Sequence, residues 1–278
     1  MNTPHELRIA VPHLQLAAQT WGDETLPPLL ALHGWLDNAG SFALLAPRLA
    51  AHYRVIALDL PGHGHSSHLP PGSNYHHLDY VGVVLAALDA LQIERCTLLG
   101  HSLGAGVASL VAAAQPQRFE HLLLIEGLGP LGDDGTQTLQ RFRDAMAPRA
   151  GKPLRRFRDI EQALQARSLV GGLEPELSRP IIERGLVESA DGWHWRSDPR
   201  LTRPSAVRLA ESQIHALLRG ITAPTRLLLA DPAAPYLPVA LMQARADCVA
   251  RIDITRMAGG HHLHLEFPQV VSDWINHT

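Results

Sequence analysis

The sequence has little cysteine, no long apolar run and almost no net charge. Two cysteines, Cys96 and Cys248, stand in 278 residues. Both lie in apolar, strand-like runs, so two buried thiols are expected rather than a disulfide. No stretch reaches the roughly eighteen uncharged apolar residues that span a membrane. The opening Met1-Asn2-Thr3-Pro4-His5-Glu6 lacks the basic-then-apolar pattern of a secretory signal. A cytoplasmic location is the expectation from these features. A net charge of −3 gives no reason to expect nucleic acid or an anionic membrane as partner. Internal repeats and low-complexity segments are also absent.

What is present is material for a core. Apolar residues make up 46% and charged residues 18%, a globular balance. The length suits one α/β domain, or a core domain with an inserted subdomain. Residues 6–10 and 14–20 read as two antiparallel strands. Continuous apolar runs at 29–32, 54–58, 96–99 and 121–125 read as strands buried on both faces. Helices are expected at 41–51, with Ser41 as N-cap, and at 75–91. This alternation predicts a parallel sheet with helices on both faces.

The pattern changes at Gly129. From there to about Gly220 no buried strand stands out, and helical periodicity is moderate. A helical cap over 129–220 is expected, inserted between core segments 1–128 and 221–278. Its Arg141, Arg143, Arg149, Lys152, Arg155, Arg156 and Arg158 read as a solvated, ion-paired face rather than a binding patch. Trp193-His194-Trp195-Arg196 is open between a pocket wall and ordinary cap core. Strands resume at 225–230 and 249–256, with helices near 238–246 and 268–276, Pro268 standing at a helix start.

Between the strand at 96–99 and a run of small residues lies Gly100-His101-Ser102-Leu103-Gly104. A serine with glycines two residues to either side, between strand and helix, has the form of a nucleophile elbow. The turn leaves no room for side chains at 100 and 104. It lifts the Ser102 hydroxyl above the sheet edge, beside a helix N-terminus that favours negative charge.

Four features in order make the chain resemble the α/β-hydrolase superfamily. They are His33-Gly34-Trp35, the loop Asp59-Leu60-Pro61-Gly62-His63-Gly64-His65-Ser66, the elbow, and Gly260-His261 followed by Glu266-Phe267-Pro268. The stretches His33–Phe42 and His261–Glu266 look like the serine-hydrolase-like branch. The resemblance covers the chain outside the cap. It implies a mostly parallel eight-stranded sheet and a cofactor-free serine hydrolase. Ser102 would be the nucleophile and His261, by its interval to Glu266-Phe267-Pro268, the base, with His262 in reserve. The backbone N–H groups of Leu103 and Trp35 would form the oxyanion hole.

The acid departs from the usual pattern. The expected position after the strand at 225–230 falls on Ala233 or Ala234, and Asp231 sits close to the strand. Haloalkane dehalogenase relatives carry the acid one strand earlier, which here is Glu126, directly after four apolar residues. A carboxylate there is costly to bury without a purpose, so Glu126 is favoured and Asp231 is the alternative. A serine nucleophile argues for acyl transfer to water rather than dehalogenation.

The substrates expected are small or medium esters, thioesters or lactones. Alternatives are a C–C bond hydrolase or cofactor-free haloperoxidase-like enzyme, which product analysis separates, and a non-catalytic ligand-binding protein. A metal site at His63, His65 and His68 is disfavoured, since Ser67 stands where a second carboxylate is needed. No metal is therefore expected, and Asp59 reads as structural. A homodimer is compatible with the sequence but not required by it.

Overall fold

The computed structural model describes residues 3–147 and 155–277. In chain order the first half runs β1 (His5–Val11), β2 (Leu14–Trp21), β3 (Pro28–Leu32), a 3₁₀ turn (Ala39–Phe42), α1 (Ala46–Leu49), β4 (Arg54–Asp59), α2 (His77–Ala90), β5 (Cys96–His101), α3 (Leu103–Ala114) and β6 (Phe119–Ile125). The middle holds α4 (Thr138–Met146), β7 (Arg156–Phe157), α5 (Ile160–Gly171), α6 (Pro175–Gly185), β8 (Leu186–Ser189), β9 (Gly192–Trp195) and α7 (Glu211–Leu218). The chain ends with β10 (Thr225–Asp231), α8 (Val239–Ala246), β11 (Ile252–Ala258), α9 (Leu263–Glu266) and α10 (Pro268–Asn276).

Eight strands form one sheet in the order β1-β2-β4-β3-β5-β6-β10-β11. Only β2 runs antiparallel to its neighbours; from β4 to β11 the pairings are parallel. Both faces are covered, which explains the continuous apolar runs. In β3, Leu30 and Leu32 pack with Val84 of α2 and Val107 of α3, while Leu29 and Ala31 pack with Phe42, Val271 and Ile275 on the other side. Each such leucine, fully buried, contributes roughly 1.5–3 kcal/mol. Among the described residues no helix is long and apolar enough to cross a membrane.

Register places the site. Leu32 of β3 pairs with Gly100 of β5, His101 with Ile125 of β6, and Ile125 with Leu228 of β10. The segments beginning at His33, Ser102 and Glu126 therefore leave adjacent strands at one carboxyl edge, where open α/β sheets bind ligands.

The segment between β6 and β10 is not purely helical. Its β7, β9 and β8 form a small antiparallel sheet. Trp195 packs edge-on against Phe157, 5.2 Å between ring centres, and Trp193 joins the same apolar cluster with Leu164, Ile182 and Leu186. Both tryptophans thus belong to the segment's own core. Strands of two to four residues are too short to leave a periodic signal in sequence. The last helix of the stretch behaves differently: Ile214 and Leu218 of α7 lie in the main core with α3. The fully buried Arg245 ties it there, with its Nε and Nη2 on Glu211 (3.0 and 2.5 Å) and Nη1 on the Leu128 carbonyl (2.7 Å).

Three local expectations are corrected. The helix expected over 41–51 is a 3₁₀ turn and a one-turn α1, capped by the Asn38 side chain, which accepts from Gly40 N–H (2.9 Å). Ser41 is drawn into a buried polar cluster instead. Cys248 sits half-buried in the turn after α8, bonded to the Ala244 carbonyl, and not in a strand. Cys96 is buried, which pushes its thiol up to about 12. In the arginine-rich stretch, Arg141 pairs with Asp133 and Arg156 bonds Ser189 and His194. Arg149 and Lys152 lie outside the described residues.

Candidate active site

Ser102 stands between β5 and α3 with φ 53° and ψ −112°. Such a conformation costs on the order of 1–3 kcal/mol and persists only when its surroundings enforce it. Here they do. Ser102 N–H bonds the Ile125 carbonyl (2.9 Å), and Gly104 N–H bonds the His33 carbonyl (3.0 Å). A Cβ on Gly104 would lie 2.0 Å from the Leu32 carbonyl oxygen, and one on Gly100 would lie 2.5 Å from that of Gly104. The helix N-terminus at Leu103 follows at once, where the first N–H has no partner within the helix.

The loop after β3 is fixed by His33. Its Nε2 accepts from Leu60 N–H (3.0 Å), so Nδ1 carries the proton and donates to the Gly34 carbonyl (2.8 Å). Across the trans peptide, Trp35 N–H then points the opposite way. Burial holds the His33 imidazole neutral by lowering its pKa. Trp35 is 54% exposed, and its indole N–H donates to the Leu201 carbonyl (3.0 Å), reaching the segment between β6 and β10.

His261 Nδ1 lies 3.0 Å from Glu126 Oε2. Glu126 is only 2% exposed, and its Oε1 accepts from Ala230 N–H at 2.6 Å. The carboxylate is thus held at two points, by Ala230 of β10 and by His261 in the loop after β11. With Nδ1–H donating to Glu126, the His261 Nε2 lone pair is left for another partner. The loop before His261 is pinned by Glu266, whose carboxylate accepts from Gly260 N–H (2.9 Å). The bond accounts for a carboxylate six residues on, and a Cβ at 260 would lie 2.7 Å from Glu266 Oε1, which accounts for the glycine.

Asp231 is exposed at the end of β10. The residue of that loop that reaches His261 is Tyr236, with its hydroxyl 3.0 Å from Nδ1. Burial and the Glu126 charge raise the pKa of this phenol. Nothing in the local sequence marks Tyr236, although it stands in the loop where the usual acid is sought.

The remaining histidines separate. His63 is buried with Nδ1 near the Pro61 carbonyl (3.1 Å), His65 faces Glu6 (3.9 Å), and His68 bonds the Arg196 carbonyl (3.0 Å). They do not converge on one point. Asp59 has structural partners: it accepts from Ala39 and His65 N–H (both 2.7 Å) and forms a fully buried pair with Arg184 of α6 (2.8 Å). His264 is buried on Ser41 Oγ (2.9 Å), and burial, with the neighbouring His262, lowers its pKa to about 3.

A family model described as alpha/beta hydrolase fold matches residues 27–169. A serine hydrolase-like protein of Danio rerio is 30% identical over 97% of this chain and 86% of its own length. The crystal structure of a hypothetical protein from Pseudomonas aeruginosa PAO1 is 38% identical, with a TM-score of 0.88 over 96% of both chains. A thioesterase domain from the curacin biosynthetic pathway is 25% identical, with a TM-score of 0.85 over 99% of both. The chain belongs to the α/β-hydrolase family, among its serine hydrolase-like members.

Proposed function

We propose that the chain hydrolyses small or medium carboxylic esters, thioesters or lactones through an acyl-enzyme on Ser102. Ser102 Oγ attacks the carbonyl carbon as His261 Nε2 takes its proton. Glu126 fixes the tautomer and orientation of His261 and stabilises the imidazolium that forms. The N–H groups of Leu103 and Trp35 receive the oxyanion, and each such donor is worth roughly 3–4 kcal/mol in the transition state. His261 then protonates the leaving group, and a water activated by the same nitrogen releases the acid. Residues 129–220 act as the cap, with core segments at 1–128 and 221–278. Trp35, bonded across to Leu201, lies where the cap sets substrate choice.

The observation that carries this reading is the His261–Glu126 contact at 3.0 Å, with Glu126 and a serine at φ 53° leaving the adjacent strands β6 and β5 at one sheet edge. The likeness to a thioesterase domain supports keeping thioesters in the class. The test is hydrolysis of p-nitrophenyl esters of increasing acyl length. Turnover by the wild type and its loss in Ser102→Ala is the expected result. A folded protein inactive on every ester, or an active Ser102→Ala, contradicts the proposal.

A further inference from the structure

A second cluster of chemistry-bearing groups lies behind His261. His101 occupies the residue before Ser102 and is fully buried. Its Nε2 sits 2.9 Å from the His261 carbonyl oxygen, which only accepts, so Nε2 carries the proton. Nδ1 is therefore a bare lone pair, and it has no hydrogen-bond partner. It faces Asp37 Oδ2 at 4.0 Å, and His262 Nε2 lies 3.6 Å from that same oxygen. Two acceptors facing each other in a buried place leave a gap that asks for a cation or a donor. Gly34 leaves the gap open: a Cβ there would lie 2.9 Å from His101 Nδ1 and 3.4 Å from Asp37 Oδ2.

We propose that Asp37 Oδ2, His101 Nδ1 and His262 Nε2 bind a borderline divalent transition ion of the Zn²⁺ class. The three atoms lie within 4.8 Å of one another. Bonds of about 2.0–2.2 Å in a tetrahedral site need donors about 3.4 Å apart, so shifts of under about 1 Å assemble it. Two imidazoles and one carboxylate suit zinc, cobalt or nickel rather than magnesium or calcium. The outer partners have the form that supports ligands. His101 is oriented by the His261 carbonyl; Asp37 holds the Arg167 guanidinium on Oδ1, while the ligand oxygen Oδ2 also accepts a long bond from Ser41 Oγ (3.2 Å). The Arg167 charge makes the site weaker than a closed structural zinc centre. The partly exposed edge of His262 is the route in, and a tetrahedral ion on three protein ligands would take water as its fourth.

The ion has a consequence for turnover, which rests on the serine-hydrolase reading above. The His101 and His261 rings are 4.8 Å apart, and those of His261 and His262 are 5.3 Å apart. A double positive charge there opposes the imidazolium that His261 must become. Occupancy is expected to slow hydrolysis by about tenfold or more, reversed by a chelator.

The test is cobalt titration of the metal-free Ser102→Ala protein, read by visible absorption and by equilibrium dialysis, so that binding is measured without activity. One equivalent with an intense tetrahedral spectrum is expected in this protein and in its His261→Gln derivative. It should be lost in His262→Gln, whose exposed edge makes it the variant best tolerated by the fold, and in Asp37→Asn where that folds. No stoichiometric binding, or binding lost in His261→Gln and kept in His262→Gln, overturns the proposal. Stoichiometric binding without inhibition of the active enzyme overturns its regulatory part. Absence of esterase activity altogether refutes the hydrolase reading and leaves the binding result standing.

Discussion

Glu126→Gln is the substitution that separates orientation of the base from mere packing. The two side chains have nearly the same volume, so the effect is on hydrogen bonding. Glu126 accepts from Ala230 N–H at 2.6 Å and from His261 Nδ1–H at 3.0 Å. A glutamine has one carbonyl oxygen for two donors. If that oxygen stays on Ala230, the amide NH₂ faces His261 and forces the imidazole proton to Nε2, where it blocks deprotonation of Ser102. If the amide flips, two N–H groups oppose each other in a buried place, at about 1–3 kcal/mol. Either way the productive state is depleted. The expected loss in kcat/KM is on the order of 10³–10⁴-fold, equivalent to about 4–5.5 kcal/mol. Asp231→Asn should leave kcat/KM within about twofold, because an exposed side chain at the end of β10 holds nothing at the site. Steady-state hydrolysis of a p-nitrophenyl ester checks both. Loss in Asp231→Asn with activity retained in Glu126→Gln refutes the reasoning.

Three further predictions follow from the same geometry. Tyr236→Phe should keep or modestly raise kcat, since a phenol donating to His261 Nδ1 would favour the unproductive tautomer; a fall of more than about tenfold would show instead that the hydroxyl assists the reaction. Gly104→Ala drives a Cβ into the Leu32 carbonyl and should cost about 3 kcal/mol or more in urea denaturation, whereas Gly82→Ala, in open space within α2, should add about 0.5–1 kcal/mol. His33 and His63 are buried with lowered pKa values, that of His63 to about 3 through burial and the neighbouring His33. The unfolded chain takes up their protons near pH 6.5, so their contribution is intact above that pH. It is lost as pH falls below that value, for His63 down to about 3, at up to about 1.4 kcal/mol per pH unit for each. Denaturation midpoints measured from pH 7.5 to 5 should fall, and a flat profile would contradict the buried neutral state.

Much of this arrangement is legible in the residues themselves. The strands at 29–32, 54–58, 96–99 and 121–125 are readable because burial on both faces removes alternation and leaves continuous apolar runs. The elbow is readable because only glycine fits at 100 and 104. Glu126 stands out because a carboxylate directly after Leu122–Ile125 calls for a partner. What stays hidden depends on contacts between distant segments. Glu126 meets His261 across 135 residues, and Tyr236 reaches the same nitrogen from a third loop. The helix expected over 41–51 fails because Asn38, Ser41 and Asp37 commit their side chains to caps and a buried network. The small β7–β9 sheet escapes because its strands are too short and half-exposed to carry a period. The pairing of His101, Asp37 and His262 likewise appears only once β3, β5 and the last loop meet at one sheet edge.

The most direct test of the account is the site of covalent modification by a fluorophosphonate, which reacts with a serine activated by a neighbouring base. The account predicts one adduct per chain, located on Ser102 by peptide mass mapping. Labelling should be abolished in Ser102→Ala and slowed by orders of magnitude in Glu126→Gln. An unlabelled wild type, or an adduct on any other residue that survives Ser102→Ala, would contradict it.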